Sequence, residues 1–155
     1  MRVKHGVAVI VMLAFYCTLS VFGQEKKLKK SDLPAAVQKT ADEQSKGATV
    51  RGYGQETEDG KVAYEVQLIV NGHSKDVTID PQGNIMEVEE QVDLNSLPAE
   101  VRAGLEKQAG KATVSKVESL TKHGTLVAYE AQVRNGKKRS EIQLGPDGKP
   151  LAHKE

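Results

Sequence analysis

The sequence is poor in the residues that carry most protein chemistry. Its 155 residues include one cysteine, no tryptophan and only 4% aromatic side chains. A single cysteine, Cys17, excludes an intramolecular disulfide and a multi-cysteine metal site. Basic residues number 22 and acidic residues 21. This near-neutral balance argues against nucleic acid or an anionic membrane as the main partner.

The first 23 residues have the layout of a secretory signal peptide. Arg2 and Lys4 precede an apolar run that extends to Tyr16, and small or apolar residues lead up to Gly23. This order is typical of a cleaved export signal, with cleavage predicted near Gly23/Gln24. Polar residues interrupt the end of the apolar run, so cleavage is favoured over an uncleaved anchor. We predict a periplasmic or secreted chain with no stable membrane span after cleavage.

The rest of the chain repeats itself. Three short motifs recur 64 or 65 positions further along: Leu33-Pro34 as Leu97-Pro98, Asn71-Gly72 as Asn135-Gly136, and Pro81-Gln82-Gly83 as Pro146-Asp147-Gly148. Recurrence of several landmarks in step indicates an internal duplication. We predict a flexible basic linker at 24–30, followed by tandem repeats at 31–92 and 93–155.

Each predicted repeat opens with a short helix. Ser31 or Asp32 in the first repeat, and Ser96 in the second, are predicted to cap it, because the following proline is tolerated in a first turn. Gly47 and Gly110 are predicted to end the two helices. Their apolar stripes are thin, so both helices need a sheet on which to pack.

Alternating apolar and polar residues predict strands after each helix. In the first repeat, Asn71-Gly72 predicts a two-residue type I′ turn. That turn pairs Val66 with Val77 and Tyr64 with Ile79. The apolar side chains of both strands then share one face, which places Tyr64 in the core.

The same rule sets the register predicted for the second hairpin. It pairs Tyr129 with Ile142 and keeps Tyr129 in the core. It also pairs Glu130 with Glu141, which is unfavourable unless Arg139 on the diagonal or an outside cation relieves the repulsion.

These elements predict an α+β fold. Two tandem α-β-β-β-β repeats would form an antiparallel sheet of about eight strands, with the helices packed on one face. A half of about 60 residues is marginal alone, so the halves are expected to share one core. The other predicted strands are Thr49–Glu56, Ile85–Glu89, Thr113–Thr121 and Lys149–His153.

The pattern resembles the PepSY-like, or beta-lactamase-inhibitor-like, family. The resemblance covers about 33–153 and depends on Leu-Pro at the helix start, Tyr64-Glu65 and Tyr129-Glu130 in the strands, and the Pro-x-Gly turns. It implies an exported, non-catalytic module that binds or inhibits another exported protein, a peptidase being one implied partner. After cleavage the chain has no cysteine and few aromatics, which departs from the inhibitor and argues against a beta-lactamase target.

The sequence contains no recognisable catalytic or metal motif. None of His73, His123 and His153 has a second ligand at a known metal-binding spacing. Strand alternation separates His73 from Ser74 and Asp76, which excludes a triad. We predict no enzyme activity, no cofactor and no metal.

The uncovered sheet face is the predicted partner-binding surface. Ile69 in mid-strand and the Glu130/Glu141 pair would be more favourable beneath a basic or mixed protein surface. The alternative is an ordinary solvated face. The predicted binding residues are Glu65, Gln67, Ile69, Asp76, Glu130, Gln132, Arg134, Arg139 and Glu141.

Two other functions stay open from the sequence. One is a sensor of a small ligand or cation. The other is a structural accessory of the cell envelope. The acidic residues that suggest a cation sensor are Glu87, Glu89, Glu90, Glu130 and Glu141.

Overall fold

Eight antiparallel strands form a single sheet in which neighbours in sequence are also neighbours in space. The computed structural model describes residues 26–58, 60–153 and 155, and the predicted signal peptide lies outside them. The strands are β1 (Lys26–Leu28), β2 (Thr49–Glu58), β3 (Lys61–Val70), β4 (His73–Ile79), β5 (Ile85–Gln91), β6 (Thr113–Lys122), β7 (Thr125–Asn135) and β8 (Lys138–Leu144).

Two α-helices interrupt the order of strands. α1 (Ala35–Gln44) precedes β2, and α2 (Ala99–Ala109) precedes β6. Each follows a single turn of 3-10 helix, at Lys30–Asp32 and Leu94–Ser96. In the part of the chain that the structure describes, neither helix is long and apolar enough to cross a bilayer.

The helix starts differ from the predicted caps. Pro34 and Pro98 occupy the N-cap positions, and neither helix has a side-chain cap hydrogen bond. Asp32 instead accepts a hydrogen bond from the backbone N–H of Lys29 at 2.9 Å, inside the 3-10 turn. The predicted serine and aspartate caps are therefore wrong. α2 ends at Gly110 in a positive-φ conformation, as predicted.

The predicted pair of α-β-β-β-β repeats is also wrong. α1 is followed by four strands and α2 by three, because Lys149–His153 forms no strand. Leu144 makes only an isolated bridge to Pro150 there, and proline has no N–H with which to extend a ladder. The strand that completes the sheet of eight is β1, which lies within the predicted linker and pairs with residues 53–55.

The core consists of two hydrophobic clusters, where the sequence predicted a single continuous core. Each helix packs on its own part of the sheet. The first cluster contains Leu33, Val37, Ala41, Val66, Leu68, Val77 and Ile79. The second contains Leu97, Val101, Leu105, Val117, Ala131, Val133 and Leu144.

Both clusters lie on the same face of the sheet. One row of directly paired residues joins them, and it consists of Leu68, Lys75, Glu90, Ser119, Tyr129 and Leu144. Tyr64 packs against the first cluster and Tyr129 against the second, which confirms their predicted place. The opposite face, which neither helix covers, is called the open face below.

The two hairpins turn differently. In the first, Asn71 and Gly72 both have positive φ, and the predicted pairing of Val66 with Val77 is confirmed. In the second, Asn135 pairs with Lys138 and only Gly136 has positive φ in the turn, as in a type II′ turn.

This difference moves the pairing of β7 and β8 by two residues. Tyr129 faces Leu144 and Glu130 faces Gln143, so the predicted Glu130/Glu141 pair is wrong. A shift of two residues leaves every side chain on its predicted face, because side chains alternate with a period of two.

The Pro-x-Gly turns touch the helices. The hydroxyl of Thr40 in α1 donates to the carbonyl of Gly83 at 2.7 Å. A Cβ on Gly83 would lie 2.9 Å from the carbonyl oxygen of Ala36, and a Cβ on Gly148 would lie only 2.1 Å from that of Glu100 in α2. These contacts fix the helices against the sheet and leave the open face uncovered.

Candidate functional site

The structure places all nine predicted binding residues on the open face. In the first hairpin, Glu65 faces Thr78, Gln67 faces Asp76 and Ile69 faces Ser74. In the second, Glu130 faces Gln143, Gln132 faces Glu141 and Arg134 faces Arg139. The pairing of β4 with β5 and of β5 with β6 puts both groups on one continuous surface.

The open face carries an acidic belt that crosses it from β3 to β8. The members of this belt are Glu65, Asp76, Glu87, Glu89, Glu118, Glu130 and Glu141. Lys116 and Lys122 of β6 stand on the same face. Lys122 lies 3.7 Å from Glu87.

Three carboxylates meet at the centre of the belt. One oxygen from each of Asp76, Glu89 and Glu118 lies within 4.8 Å of the others. Glu118 is only 6% exposed, and the Lys116 ammonium pairs with it at 2.5 Å. The centre therefore holds one neutralised carboxylate beside two that come from neighbouring strands.

Glu89 is the most perturbed member of the acidic belt. Burial, reinforced by nearby negative charge, raises the pKa of its carboxyl to about 8. The charges that reinforce this shift belong to Glu130, Glu118, Glu87 and Asp76. Glu89 therefore keeps its proton at neutral pH, which reduces the repulsion at the centre.

Glu130 responds to the same surroundings. Burial raises the pKa of its carboxyl, while a hydrogen bond from the Gln143 amide partly offsets this. Glu141 and Glu118 add further upward shifts through their charge. The carboxylates of the belt therefore repel one another, and an approaching cation would reduce this repulsion.

Two apolar residues of the open face are buried next to the acidic belt. Leu120 and Ala128 belong to this face by register, yet they are 2% and 0% exposed. Since neither helix covers this face, the side chains around them on the open face must cover them.

The two arginines lie away from the centre of the acidic belt. Arg134 and Arg139 face each other near the tip of the β7–β8 hairpin, and the Arg134 Nε donates to the carbonyl of Gly136 at 2.7 Å. The predicted register placed Arg139 close to Glu130, and the structure does not. The open face has an acidic centre and a basic end.

Sequence reasoning missed Glu118, the most buried member of the belt. Its neighbours at the centre come from β4 and β5, and α2 lies between β5 and β6 in the chain. The alternation in β6 predicts a polar side for Glu118, but not which strands lie next to it.

The fold is shared with solved structures of low sequence identity. No family model and no curated protein matches this chain. A protein of Bacteroides eggerthii with a provisional assignment to the periplasm superposes with a TM-score of 0.64 and 18% identity, covering 77% of this chain and 86% of its own.

Two further structures are similar. A BLIP-like protein of Bacteroides fragilis has a TM-score of 0.59 and 21% identity, covering 78% of this chain and 85% of its own. A DUF2874 family protein of Bacteroides ovatus has a TM-score of 0.62 and 20% identity, covering 77% and 84%. At these identities the likeness concerns the fold.

Proposed function

We propose that this chain is an exported, non-catalytic module that binds another exported protein through its open face. The observation that carries the proposal is the acidic belt, which gathers half-buried carboxylates on a surface that no helix covers. A partner with a basic surface would neutralise these groups as it covers them. Such a partner could be an enzyme that the module inhibits, a peptidase being one candidate.

The leader and the shared fold support this proposal. The first 23 residues have the order of an export signal, and a similar structure carries a provisional periplasmic assignment. A BLIP-like protein has the same fold. We accordingly retain the PepSY-like tandem origin as part of the proposal, on the strength of the repeated sequence motifs.

Reversing two charges of the acidic belt is expected to abolish partner capture. Immobilised protein would be incubated with the periplasmic fraction of the producing cell, and the retained proteins identified by mass spectrometry. Glu65→Lys/Glu130→Lys should retain at least about tenfold less of the partner, because it replaces attraction by repulsion at two strands. Added salt should weaken retention by the unmodified protein.

The matched control places the same charge change on the helices. Glu43 and Glu106 are exposed residues of α1 and α2, so Glu43→Lys/Glu106→Lys alters net charge equally but leaves the open face intact. It should retain the partner like the unmodified protein. If all three proteins retain the same set, the open face is not the binding surface.

A second candidate is the cation sensor, favoured by the meeting of Asp76, Glu89 and Glu118 within 4.8 Å. Oxygen ligands of this kind suit a hard cation such as calcium. The Lys116 ammonium on Glu118 counts against it, since a bound cation would have to displace that ion pair.

Calorimetric titration separates this candidate from the first. A cation sensor should give a saturable heat with calcium or zinc, and Glu89→Gln should remove it. If neither calcium nor zinc gave a heat of binding, the cation sensor would be eliminated. The proposal of partner capture by the open face would be unaffected.

A further inference from the structure

The open face contains a cleft at the end where the β6–β7 turn lies. Its volume is about 520 Å³, within the range of sites that hold a small group. Residues from several strands line it, together with one residue from far along the chain. The charged residues of its lining include Lys61, Glu87, Lys122 and Glu155.

Lys122 and Lys61 both line this cleft, and the carboxylates that lie near Lys122 single it out. Its ammonium lies 3.7 Å from the Glu87 carboxylate and 3.6 Å from the Glu155 carboxylate. Glu87 is a neighbour within the sheet, directly paired with Lys122. Glu155 lies beyond β8 and is not part of the sheet, yet its side chain lies in the cleft.

Glu155 makes a second contact with the open face. Its backbone N–H donates to the Gln143 Oε1 at 2.9 Å. One residue outside the sheet thus places its main chain on β8 and its carboxylate on β6. An extended segment of a partner offers the same two groups, a backbone N–H and an acidic side chain.

We propose that the Lys122 cleft is a subsite for an acidic side chain in an extended segment of a partner, and that Glu155 occupies this subsite in cis. An acidic side chain of a mainly basic partner would bind beside Lys122, where the carboxylate of Glu155 already lies. The role of a partner segment rests on the proposed function. The subsite itself can be tested without the partner.

The test uses a peptide with the sequence of residues 149–155 and an acetylated N-terminus. Full-length Glu155→Ala protein should bind this peptide with a dissociation constant on the order of 1 mM, as measured by NMR shifts of the amides around Lys122. The unmodified protein should bind it at least about fivefold more weakly, because its own Glu155 competes at high effective concentration.

Two controls make the result specific. Glu155→Ala/Lys122→Met should lose peptide binding, while Glu155→Ala/Lys138→Met, which removes an exposed lysine of the β7–β8 hairpin, should keep it. A peptide with glutamine in place of its single glutamate should bind neither the unmodified protein nor the Glu155→Ala protein. Well-dispersed amide spectra would show that each variant is folded.

Binding that persists in Glu155→Ala/Lys122→Met, or no binding by the Glu155→Ala protein, would overturn the subsite. Neither result affects partner capture, which depends on Glu65 and Glu130 in a separate experiment. If the Glu65→Lys/Glu130→Lys variant instead captured the partner as well as the unmodified protein while peptide binding was intact, the proposed function would fail and the subsite would stand.

Discussion

Replacing Gly148 by alanine is expected to lower the free energy of unfolding by about 3 kcal/mol or more. Gly148 has φ +75°, where an L side chain is strained, and its Cβ would lie 2.1 Å from the carbonyl oxygen of Glu100 and 2.9 Å from the nitrogen of Val101. Both atoms are backbone of α2, so the turn or the helix must move. Urea denaturation would measure the loss.

Gly47→Ala is the matched control for this substitution. Gly47 also has φ +75°, but nothing lies within 4 Å of a Cβ placed there. This variant should therefore lose only the conformational part, about 1 kcal/mol. Equal losses in the two variants would mean that the contact between the turn and α2 does not hold the second half of the fold together.

Glu89→Gln is expected to stabilise the protein at alkaline pH and leave it unchanged in acid. The fold raises the pKa of Glu89 from 4.5 to about 8, so between these values the folded state binds more protons than the unfolded state. Stability must then fall as pH rises from 4.5 to about 8. Because Glu89 is half-buried and solvent screens its charge, we expect a loss of about 2 kcal/mol.

The measurement compares urea denaturation at pH 5 and pH 9. Glutamine cannot ionise, so the variant should lose much less stability between the two pH values than the unmodified protein. Glu90→Gln is the control, since Glu90 lies on the helix-covered face, opposite Lys75. Its pH profile should match that of the unmodified protein. Identical profiles for all three proteins would mean that carboxyl groups other than Glu89 cause the loss of stability at alkaline pH.

The sequence predicted the first hairpin correctly, because side-chain alternation and turn residues are local features of the chain. Alternation and the Asn71-Gly72 turn set β3 and β4 in the register that the structure has. The equivalent Asn135-Gly136 does not set the second turn, because there Gly136 and Lys137 form the loop. The local sequence is compatible with both turns, since glycine accepts the positive φ that each of them requires.

The candidate site was predictable in composition but not in geometry. Side-chain alternation identified the acidic residues of β3, β4, β7 and β8, since each strand shows its polar side in its own sequence. The meeting of Asp76, Glu89 and Glu118 requires the order of β4, β5 and β6 in the sheet. Two of these strands are separated in the chain by α2.

The amino-acid sequence alone determined which side chains face the helices and which face outward, because a period of two needs no partner to define it. It also determined the export-like leader and the recurrence of the turn motifs. The tertiary structure decided that β1 supplies the eighth strand, that the core divides into two clusters, and that burial raises the pKa of Glu89. These properties depend on which distant segments come together, and this is settled by packing the whole chain.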